Sequence, residues 1–297
     1  MSRERIEAGT LLSVGTALLL WSSAFAGIKA GLRGFGPGEL ALLRFLTASA
    51  SLGIYALGAR MRLPRREDVG RIALGGLFGI TIYHLSLNFG ETAVSAGAAS
   101  LIIASGPVFT AILARIFLDE RLTRWGWLGI AIAFSGVAII TLAEGGGLSF
   151  EPAAALVVAA AMSTAGYFVV TKPLLVRYTP LEYTAYSMWL GTLPMLVFAP
   201  GLAASIGSAP RSALLAVLYL GVFPGAIAYL LYSRALAKLP ASVASSFLYV
   251  QPVMAAVIAW AWIREVPQAL TVVGGAVALA GVTLVTTKGR QPKLNGR

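Results

Sequence analysis

The sequence has 297 residues, of which 58% are hydrophobic and 12% are charged, whereas a soluble domain carries about 25% charged residues. This composition excludes a soluble enzyme, a nucleic-acid-binding domain and a disordered chain, because 23 Lys and Arg with 12 Asp and Glu cannot cover a globule this apolar. The absence of cysteine excludes disulfides, thiolate catalysis and cysteine-ligated metals.

Apolar segments of about 20 residues, long enough to cross about 30 Å of hydrocarbon, recur along the whole chain. Because the bilayer offers no water to unpaired backbone groups, each segment is predicted to be a helix, and the alternation of a membrane β-strand is not seen. The first segment resembles a signal peptide, but its length and the span that follows at once indicate a retained helix. We predict ten spans, at residues 11–30, 40–59, 72–89, 92–114, 125–143, 152–171, 183–203, 212–233, 241–263 and 270–287.

Basic residues are distributed unequally between the two sides of the predicted bundle. With the N-terminus in the cytoplasm, 18 of the 23 Lys and Arg residues fall on the cytoplasmic side, four fall on the other, and Arg44 lies inside a span. Short cytoplasmic loops of membrane proteins carry an excess of Lys and Arg, so both termini are expected in the cytoplasm, in a bacterial inner membrane. The net charge of +11 is then explained without a nucleic-acid partner.

The two halves of the chain resemble each other. A shift of 145 residues aligns identical residues from Ala99 to Val137 with the second half, and a shift of 143 does so from Phe25 to Glu39. We predict two five-helix repeats, residues 1–146 and 147–297. An odd number of spans inverts the second copy, and inverted repeats with a site between them are typical of secondary transporters. A duplicated channel or membrane enzyme is the alternative.

Arg44 lies in the second predicted span, near its outer end. Because a charged group within a span is costly, it merits a functional hypothesis. One interpretation is a structural arginine that snorkels to the interface or pairs with Glu39. The other is a partner for a substrate carboxylate, and the residues alone leave both open.

His84 is the only histidine of the chain. Asn88 follows it by four residues and Thr81 precedes it by three, so all three share a helix face that we expect to look inward. The 145-residue shift places Tyr229 and Ser233 opposite His84 and Asn88, which predicts matching polar faces at opposite depths. His84 suits proton coupling because its unperturbed pKa is near neutrality, but a neutral histidine bonded within the bundle is the favoured alternative.

Aromatic and hydroxyl side chains supply the other candidates, because a cavity for a small amphipathic molecule needs apolar walls and a few polar groups. Interface anchoring or helix packing is the alternative role for each. The predicted substrate site consists of Trp21, Ser22, Phe25, Arg44, His84, Asn88, Ser163, Tyr167, Tyr229, Ser245, Tyr249 and Gln251.

Two prolines, Pro107 and Pro252, lie in the middle of equivalent predicted spans. A proline removes one backbone hydrogen bond and kinks a helix. Their recurrence in both halves predicts that they act as hinges.

Six short motifs lie within or beside the predicted spans. They are Trp21-Ser22-Ser23-Ala24-Phe25, Leu43-Arg44-Phe45, Gly106-Pro107-Val108-Phe109, Glu120-Arg121-Leu122-Thr123, Gln251-Pro252-Val253 and Arg264-Glu265. Together they resemble the motifs of the EamA-type drug/metabolite transporter superfamily, although the second half departs from the usual Leu-Thr at Val266-Pro267. The resemblance covers essentially the whole chain, looks most like the YddG-type amino-acid exporters, and implies ten helices, export or exchange of small metabolites and a central cavity between the halves.

Several absences narrow the function. Acidic residues, among them Glu39, Glu91, Glu182 and Glu265, fall near the ends of spans and not deep within them, which disfavours a proton-coupled exporter of organic cations. One histidine without cysteine disfavours a metal site, and without a Gly-Lys-Ser/Thr loop the chain is not driven directly by ATP. We expect no cofactor and no metal.

We therefore predict an all-α, ten-helix secondary transporter that exports a small neutral or zwitterionic metabolite, with an aromatic or hydrophobic amino acid as the favoured substrate. Its expected partners are the small-molecule substrate and the lipid bilayer, and the chain is expected to be a monomer. The alternatives are a multidrug or other metabolite efflux carrier, a passive pore, and a membrane-embedded enzyme, for which His84 lacks a neighbouring carboxylate.

Overall fold

The computed structural model describes residues 7–59, 61–117, 123–144, 151–238 and 247–288. Every regular element in these ranges is helical. The helices are α1 (Ala8–Gly31), α2 (Pro37–Leu57), α3 (Arg66–Gly90), α4 (Ala96–Ile103), α5 (Gly106–Phe117), α6 (Arg124–Glu144), α7 (Pro152–Leu174), α8 (Pro180–Ser208), α9 (Arg211–Lys238), α10 (Gln251–Ile263) and α11 (Ala269–Lys288).

Six of these helices, α1, α2, α3, α7, α8 and α9, are long and apolar enough to cross a membrane. Large apolar side chains such as Leu12, Ile54 and Trp260 are exposed on the outside of the bundle, as expected of a surface that faces lipid. We call the end of the bundle where α1 begins and α11 ends the near face, and the end where α1 ends and α2 begins the far face. The count of ten spans stays a prediction.

The segment predicted as the fourth span is divided into α4 and α5. The N–H of Ser105 donates to Ile102, and the helix resumes at Gly106. Pro107 has no N–H with which to continue the hydrogen-bond ladder of α4, which accounts for the break. Pro252 likewise lies in the first turn of α10, after a 3-10 turn at Phe247–Val250. Both prolines begin a helical segment, a position that proline tolerates, and their role as hinges stays a prediction.

Two helices contain a π turn, and the two turns are offset by about 145 residues. The turns are Leu77–Ile82 in α3 and Gly221–Ile227 in α9. At the end of each turn the next N–H bonds five residues back, from Tyr83 to Phe78 and from Ala228 to Phe223. In a regular α-helix these two N–H groups would bond to the carbonyls of Gly79 and Pro224. Each π turn therefore leaves one carbonyl oxygen, that of Gly79 in α3 or that of Pro224 in α9, able to accept a hydrogen bond from a side chain.

A seam of small residues joins α6 to α11. A Cβ on Gly136 would collide with the backbone of Ala278, and a Cβ on Gly281 would collide with the backbone of Ala133. Such close backbone approach requires glycine and is typical of helix pairs in membranes. Gly136 lies 145 residues before Gly281, and Ala133 lies 145 residues before Ala278, so the two contacts correspond to each other in the aligned halves.

The near face is held together by a network of charged and phenolic groups, which we call the near-face latch. Arg62 Nε lies 3.2 Å from Glu182 Oε1. Asp68, whose side chain is buried, accepts from Tyr178 Oη at 2.8 Å and from Arg177 Nη1 at 2.9 Å. Desolvation raises the pKa of Tyr178, and the hydrogen bonds that Arg62 donates to Glu182 raise the pKa of Arg62, so the phenol stays a donor and the guanidinium stays charged at neutral pH.

The far face has a neutral arrangement at the corresponding positions. Glu39, which aligns with Glu182, accepts from Ser205 Oγ at 2.8 Å and not from an arginine. Phe35, which aligns with Tyr178, packs in an apolar cluster that includes Ala213. The far face therefore lacks, among the described residues at these positions, the charged donors that are found at the near face.

Candidate functional site

His84 and Tyr229 meet deep in the bundle, and both side chains are buried. His84 Nε2 lies 3.0 Å from Tyr229 Oη, and Tyr229 Oη donates to the carbonyl of Gly79 at 2.9 Å. Since a phenol has one proton, and Tyr229 gives it to Gly79, the hydrogen between the two side chains is carried by His84 Nε2. The Gly79 carbonyl, which accepts the hydrogen bond from Tyr229, is the one that the π turn of α3 leaves without its regular helical donor.

Aromatic rings surround this pair. Trp21 Nε1 donates to the carbonyl of Pro224 at 3.2 Å, the oxygen spared by the π turn of α9. The ring of Trp21 lies 5.3 Å from that of Tyr229 and 4.8 Å from that of Tyr232, and the ring of Tyr167 lies 6.5 Å from that of Tyr229. Edge and tilted contacts at these distances are favourable for aromatic pairs.

On the other side of the histidine, the ring of Phe45 lies 4.4 Å and the ring of Tyr83 lies 4.6 Å from that of His84. Helices α1, α2, α3, α7 and α9 thus each contribute a ring to one contiguous set. We call this set the aromatic group, and its members are Trp21, Phe45, Tyr83, His84, Tyr167, Tyr229 and Tyr232.

Other predicted site residues are placed around this group or away from it. Ser163 Oγ donates to the carbonyl of Phe78 at 2.7 Å, which fixes α7 against the π turn of α3. Ser22 Oγ donates to the carbonyl of Gln251 at 3.4 Å, and Gln251 is buried at the start of α10. Phe25 packs in a separate apolar cluster, so the structure does not bring it together with the ring of Trp21.

Three predicted residues are not fully described by the structure. Ser245 lies outside the described residues. Only the backbone is described for Tyr249, in the 3-10 turn before α10, and for Pro107, in the first turn of α5.

Arg44 is more deeply placed than the predicted span suggested. It lies seven residues into α2, about 10 Å from the start of the helix, and its side chain is 1% exposed. Glu39 is bonded to Gly36 N and to Ser205. Neither snorkelling nor pairing with Glu39 is therefore seen, which corrects the first of the two interpretations of Arg44.

Asn88 and Glu91 continue the polar face of α3 toward the far face. Asn88 Nδ2 donates to the carbonyl of Pro37 at 3.2 Å, which ties α3 to the start of α2. Glu91 follows the last residue of α3 and is 0% exposed. Arg44 lies within electrostatic range of Glu91, Tyr83 and Tyr229, so the charged residues and the aromatic group are adjacent.

Comparison with known proteins settles the broad class of this molecule. The chain matches the EamA-like transporter family over residues 8–142 and again over residues 152–287. The chain belongs to this family. The EamA-like transporter described here is 42% identical over 271 residues to a probable terminal-alkyne amino-acid exporter of Streptantibioticus cattleyicolor, with 91% of each chain covered.

It is also 38% identical over 278 residues to YdfC, an uncharacterized transporter of Bacillus subtilis, which covers 94% of this chain and 91% of that one. A crystal structure that is 22% identical in sequence covers 95% of this chain and 99% of its own, with a TM-score of 0.63, and shows the same fold. The protein is thus a multi-pass membrane transporter of the EamA type, and its substrate is a small molecule.

Four residues next to the site of this EamA-like transporter were not predicted from the sequence. Phe45 follows Arg44, and Tyr83 precedes His84. Tyr232 lies three residues after Tyr229 on the same helix face, and Glu91 lies three residues after Asn88. For Tyr232 and Glu91 the helical spacing was a usable signal, because it extends the polar faces that the sequence already indicates.

Proposed function

We propose that this EamA-like transporter exports amino acids with aromatic or hydrophobic side chains by alternating access between two inverted five-helix repeats, residues 1–146 and 147–297. The ten helices then place both termini in the cytoplasm of a bacterial inner membrane, so that the near face is cytoplasmic. The chain works as a monomer, with the aromatic group as the wall of its substrate site.

The observation that carries this proposal is the contact between His84 and Tyr229. The two residues are 145 positions apart, so each is the counterpart of the other in the aligned halves. Counterparts touch each other directly only where they lie beside the axis that relates the two copies. Ser49 and Thr192, counterparts at the 143-residue shift, also touch, with their hydroxyl oxygens 3.3 Å apart. An axis through both pairs passes beside the aromatic group, where inverted-repeat transporters bind substrate.

Counterpart residues that lie away from this axis support the same arrangement, because the two members of such a pair bond to residues near opposite faces of the bundle. Asn88 and Ser233 are counterparts, and Asn88 bonds to Pro37 near the far face. Ser233 Oγ lies 3.0 Å from Thr184 Oγ1, toward the near face. The polar faces predicted at opposite depths therefore converge at His84 and Tyr229 and separate beyond them. The reciprocal glycine contacts between α6 and α11 fit the same two-fold relation.

The substrate class rests on the aromatic group and on the relative from Streptantibioticus cattleyicolor. Buried rings that carry hydroxyl, indole and imidazole groups suit an apolar side chain that carries a polar end. The name of that relative, at 42% identity, gives an amino acid as cargo and export as direction.

Counterflow in proteoliposomes tests the proposal. Vesicles that contain the purified full chain and are loaded with L-phenylalanine or L-propargylglycine should take up labelled substrate faster than empty vesicles. Trp21→Ala and Tyr229→Phe should lower that uptake by about tenfold or more, since each removes a buried hydrogen bond or ring contact. Tyr55→Phe, a change at an exposed tyrosine, is the matched control.

Two outcomes would contradict the proposal. Flux that neither saturates nor responds to internal substrate indicates a passive pore. Exchange of cationic drugs without any exchange of amino acids supports the multidrug alternative.

A further inference from the structure

Unpartnered polar atoms are concentrated at one place in the bundle. Among the described residues, seven buried side-chain nitrogen or oxygen atoms have no hydrogen-bond partner. Six of them belong to four residues in the far-face halves of α2 and α3, and Tyr232 Oη is the seventh. The six are Arg44 Nε and Nη1, His84 Nδ1, Asn88 Oδ1, and Glu91 Oε1 and Oε2. Unpaired charged groups are costly in a protein interior, so this concentration needs an explanation.

These atoms lie on two facing helices. His84, Asn88 and Glu91 follow one another at spacings of four and three residues and share a face of α3 and its C-cap. Arg44 comes from α2, which is tied to α3 by the bond from Asn88 to Pro37. The guanidinium of Arg44 also lies 5.3 Å from the ring of Phe45, a member of the aromatic group.

The unpartnered atoms include both hydrogen-bond donors and hydrogen-bond acceptors, which together match the two charged groups of an amino acid. Arg44 offers only donors, in a fixed fork that matches a carboxylate. Asn88 Oδ1 and an ionised Glu91 offer only acceptors, which an ammonium group requires. An α-amino acid carries both groups on one carbon atom, next to a side chain that would meet the aromatic group.

We propose that Arg44 binds the α-carboxylate and that Glu91, with Asn88 Oδ1, binds the α-ammonium group of the transported amino acid. This assignment rests on the proposed function and deepens it, because it gives the head group a site and makes Glu91 a determinant of specificity.

The surrounding charges favour a zwitterion over an ion of either sign. Glu91 lies within electrostatic range of Lys29, Arg44 and Glu265. Because donors and acceptors for both signs of charge lie at this site, a zwitterion meets a complementary group at each end, whereas a monoanion or a monocation leaves one of these groups unpaired.

One head-group site is expected for each chain. The counterparts of Arg44, Asn88 and Glu91 in the aligned second half are Ser187, Ser233 and Leu236, and none of these carries a charge. The two halves therefore share the aromatic group, and the first half alone supplies the charged residues.

Competition among four probes with a phenyl side chain tests the proposal. The probes are L-phenylalanine, 3-phenylpropionate, phenethylamine and L-phenylalaninamide, each tested against counterflow of labelled L-phenylalanine by the full chain in proteoliposomes. Wild type should be inhibited most strongly by the zwitterion, and measurably but more weakly by the three probes that lack either the carboxylate or the ammonium group. Arg44→Gln should weaken competition by L-phenylalanine about 10- to 100-fold but spare phenethylamine, and Glu91→Gln should weaken it similarly but spare 3-phenylpropionate.

Arg33→Gln, which removes an exposed arginine at the same end of the bundle, is the matched control and should keep the wild-type preference. If a glutamine variant does not elute as a single species, Arg44→Lys or Glu91→Asp replaces it. These variants keep the charge but move it, and the same probe-specific loss is expected.

Wild-type exchange of L-phenylalanine together with an unchanged probe preference in both variants would overturn the head-group site and leave the proposed function standing. A loss that is equal for all four probes would also overturn it. Absence of exchange of any amino acid by wild type would instead refute the proposed function, and this inference with it.

Discussion

Tyr178→Phe perturbs the near-face latch at one atom. The phenol donates to Asp68 Oδ2 at 2.8 Å and accepts from Arg65 N at 3.0 Å, while Arg177 remains bonded to Asp68 in the variant. A hydrogen bond to a charged group contributes about 1.5 to 3 kcal/mol. The latch joins residues of both halves across the near face, so opening of this face in the alternating access that we propose would break the bond, and its energy would stabilise the closed form. The ratio of open to closed molecules should therefore rise about 10- to 150-fold.

Labelling of a single introduced cysteine measures this ratio, since the chain has no cysteine of its own. Ser187 is a suitable site, because it is buried in α8 about 10 Å from the near-face end of that helix. With Ser187→Cys in the background, Tyr178→Phe should accelerate reaction with a membrane-impermeant maleimide at the near face by about tenfold or more. Tyr55→Phe in the same background should leave the rate unchanged.

A labelling rate that is unchanged or slower in Tyr178→Phe, in protein that elutes as a single species, would refute this reasoning. It would mean that the near face is held closed by the packing of the helices and not by the bonds of Asp68.

Three further changes test separate parts of the structure. Gly136→Leu should lower the free energy of unfolding by about 1 to 3 kcal/mol through collision within the α6–α11 seam, whereas Gly53→Ala, which meets open space, should not, and thermal unfolding monitored by size-exclusion chromatography compares them. Glu265→Gln should weaken its 2.6 Å bond from Ala96 N, and faster hydrogen exchange at the start of α4 would report the loss. Trp21→Phe keeps a ring but loses the indole donor, so it should raise the KM for substrate, though less than Trp21→Ala does, and a wild-type KM in Trp21→Phe would contradict a contribution of the hydrogen bond.

The polar face of α3 was predictable because helical periodicity is a local property. His84 and Asn88 were selected by their spacing, and both are buried as that spacing predicts. Glu91 continues the same face but was placed at a span end, where the sequence gives no measure of burial. Only the packing of neighbouring helices around the end of α3 buries its carboxylate.

The alignment of the halves predicted which residues are counterparts of each other. It did not predict which of these counterparts are in direct contact. His84 and Tyr229 were expected to face each other from different depths, and instead they share a hydrogen bond. Tyr229 also donates to the Gly79 carbonyl in the π turn of α3, and hydrophobic periodicity does not reveal such turns. Trp21 and Phe25 show the opposite limit: both belong to the predicted substrate site and lie four residues apart on α1, yet they pack in different clusters.

Spin-label distances across the two faces test the central claim of alternating access between inverted halves most directly. The label pairs Arg65→Cys with Val176→Cys at the near face and Arg33→Cys with Ser208→Cys at the far face are counterparts at the 143-residue shift, and all four positions are exposed. Our account predicts that addition of L-phenylalanine shifts the two distance distributions in opposite directions, so that one face opens as the other closes. Distances that stay unchanged, or that increase together at both faces, would contradict it.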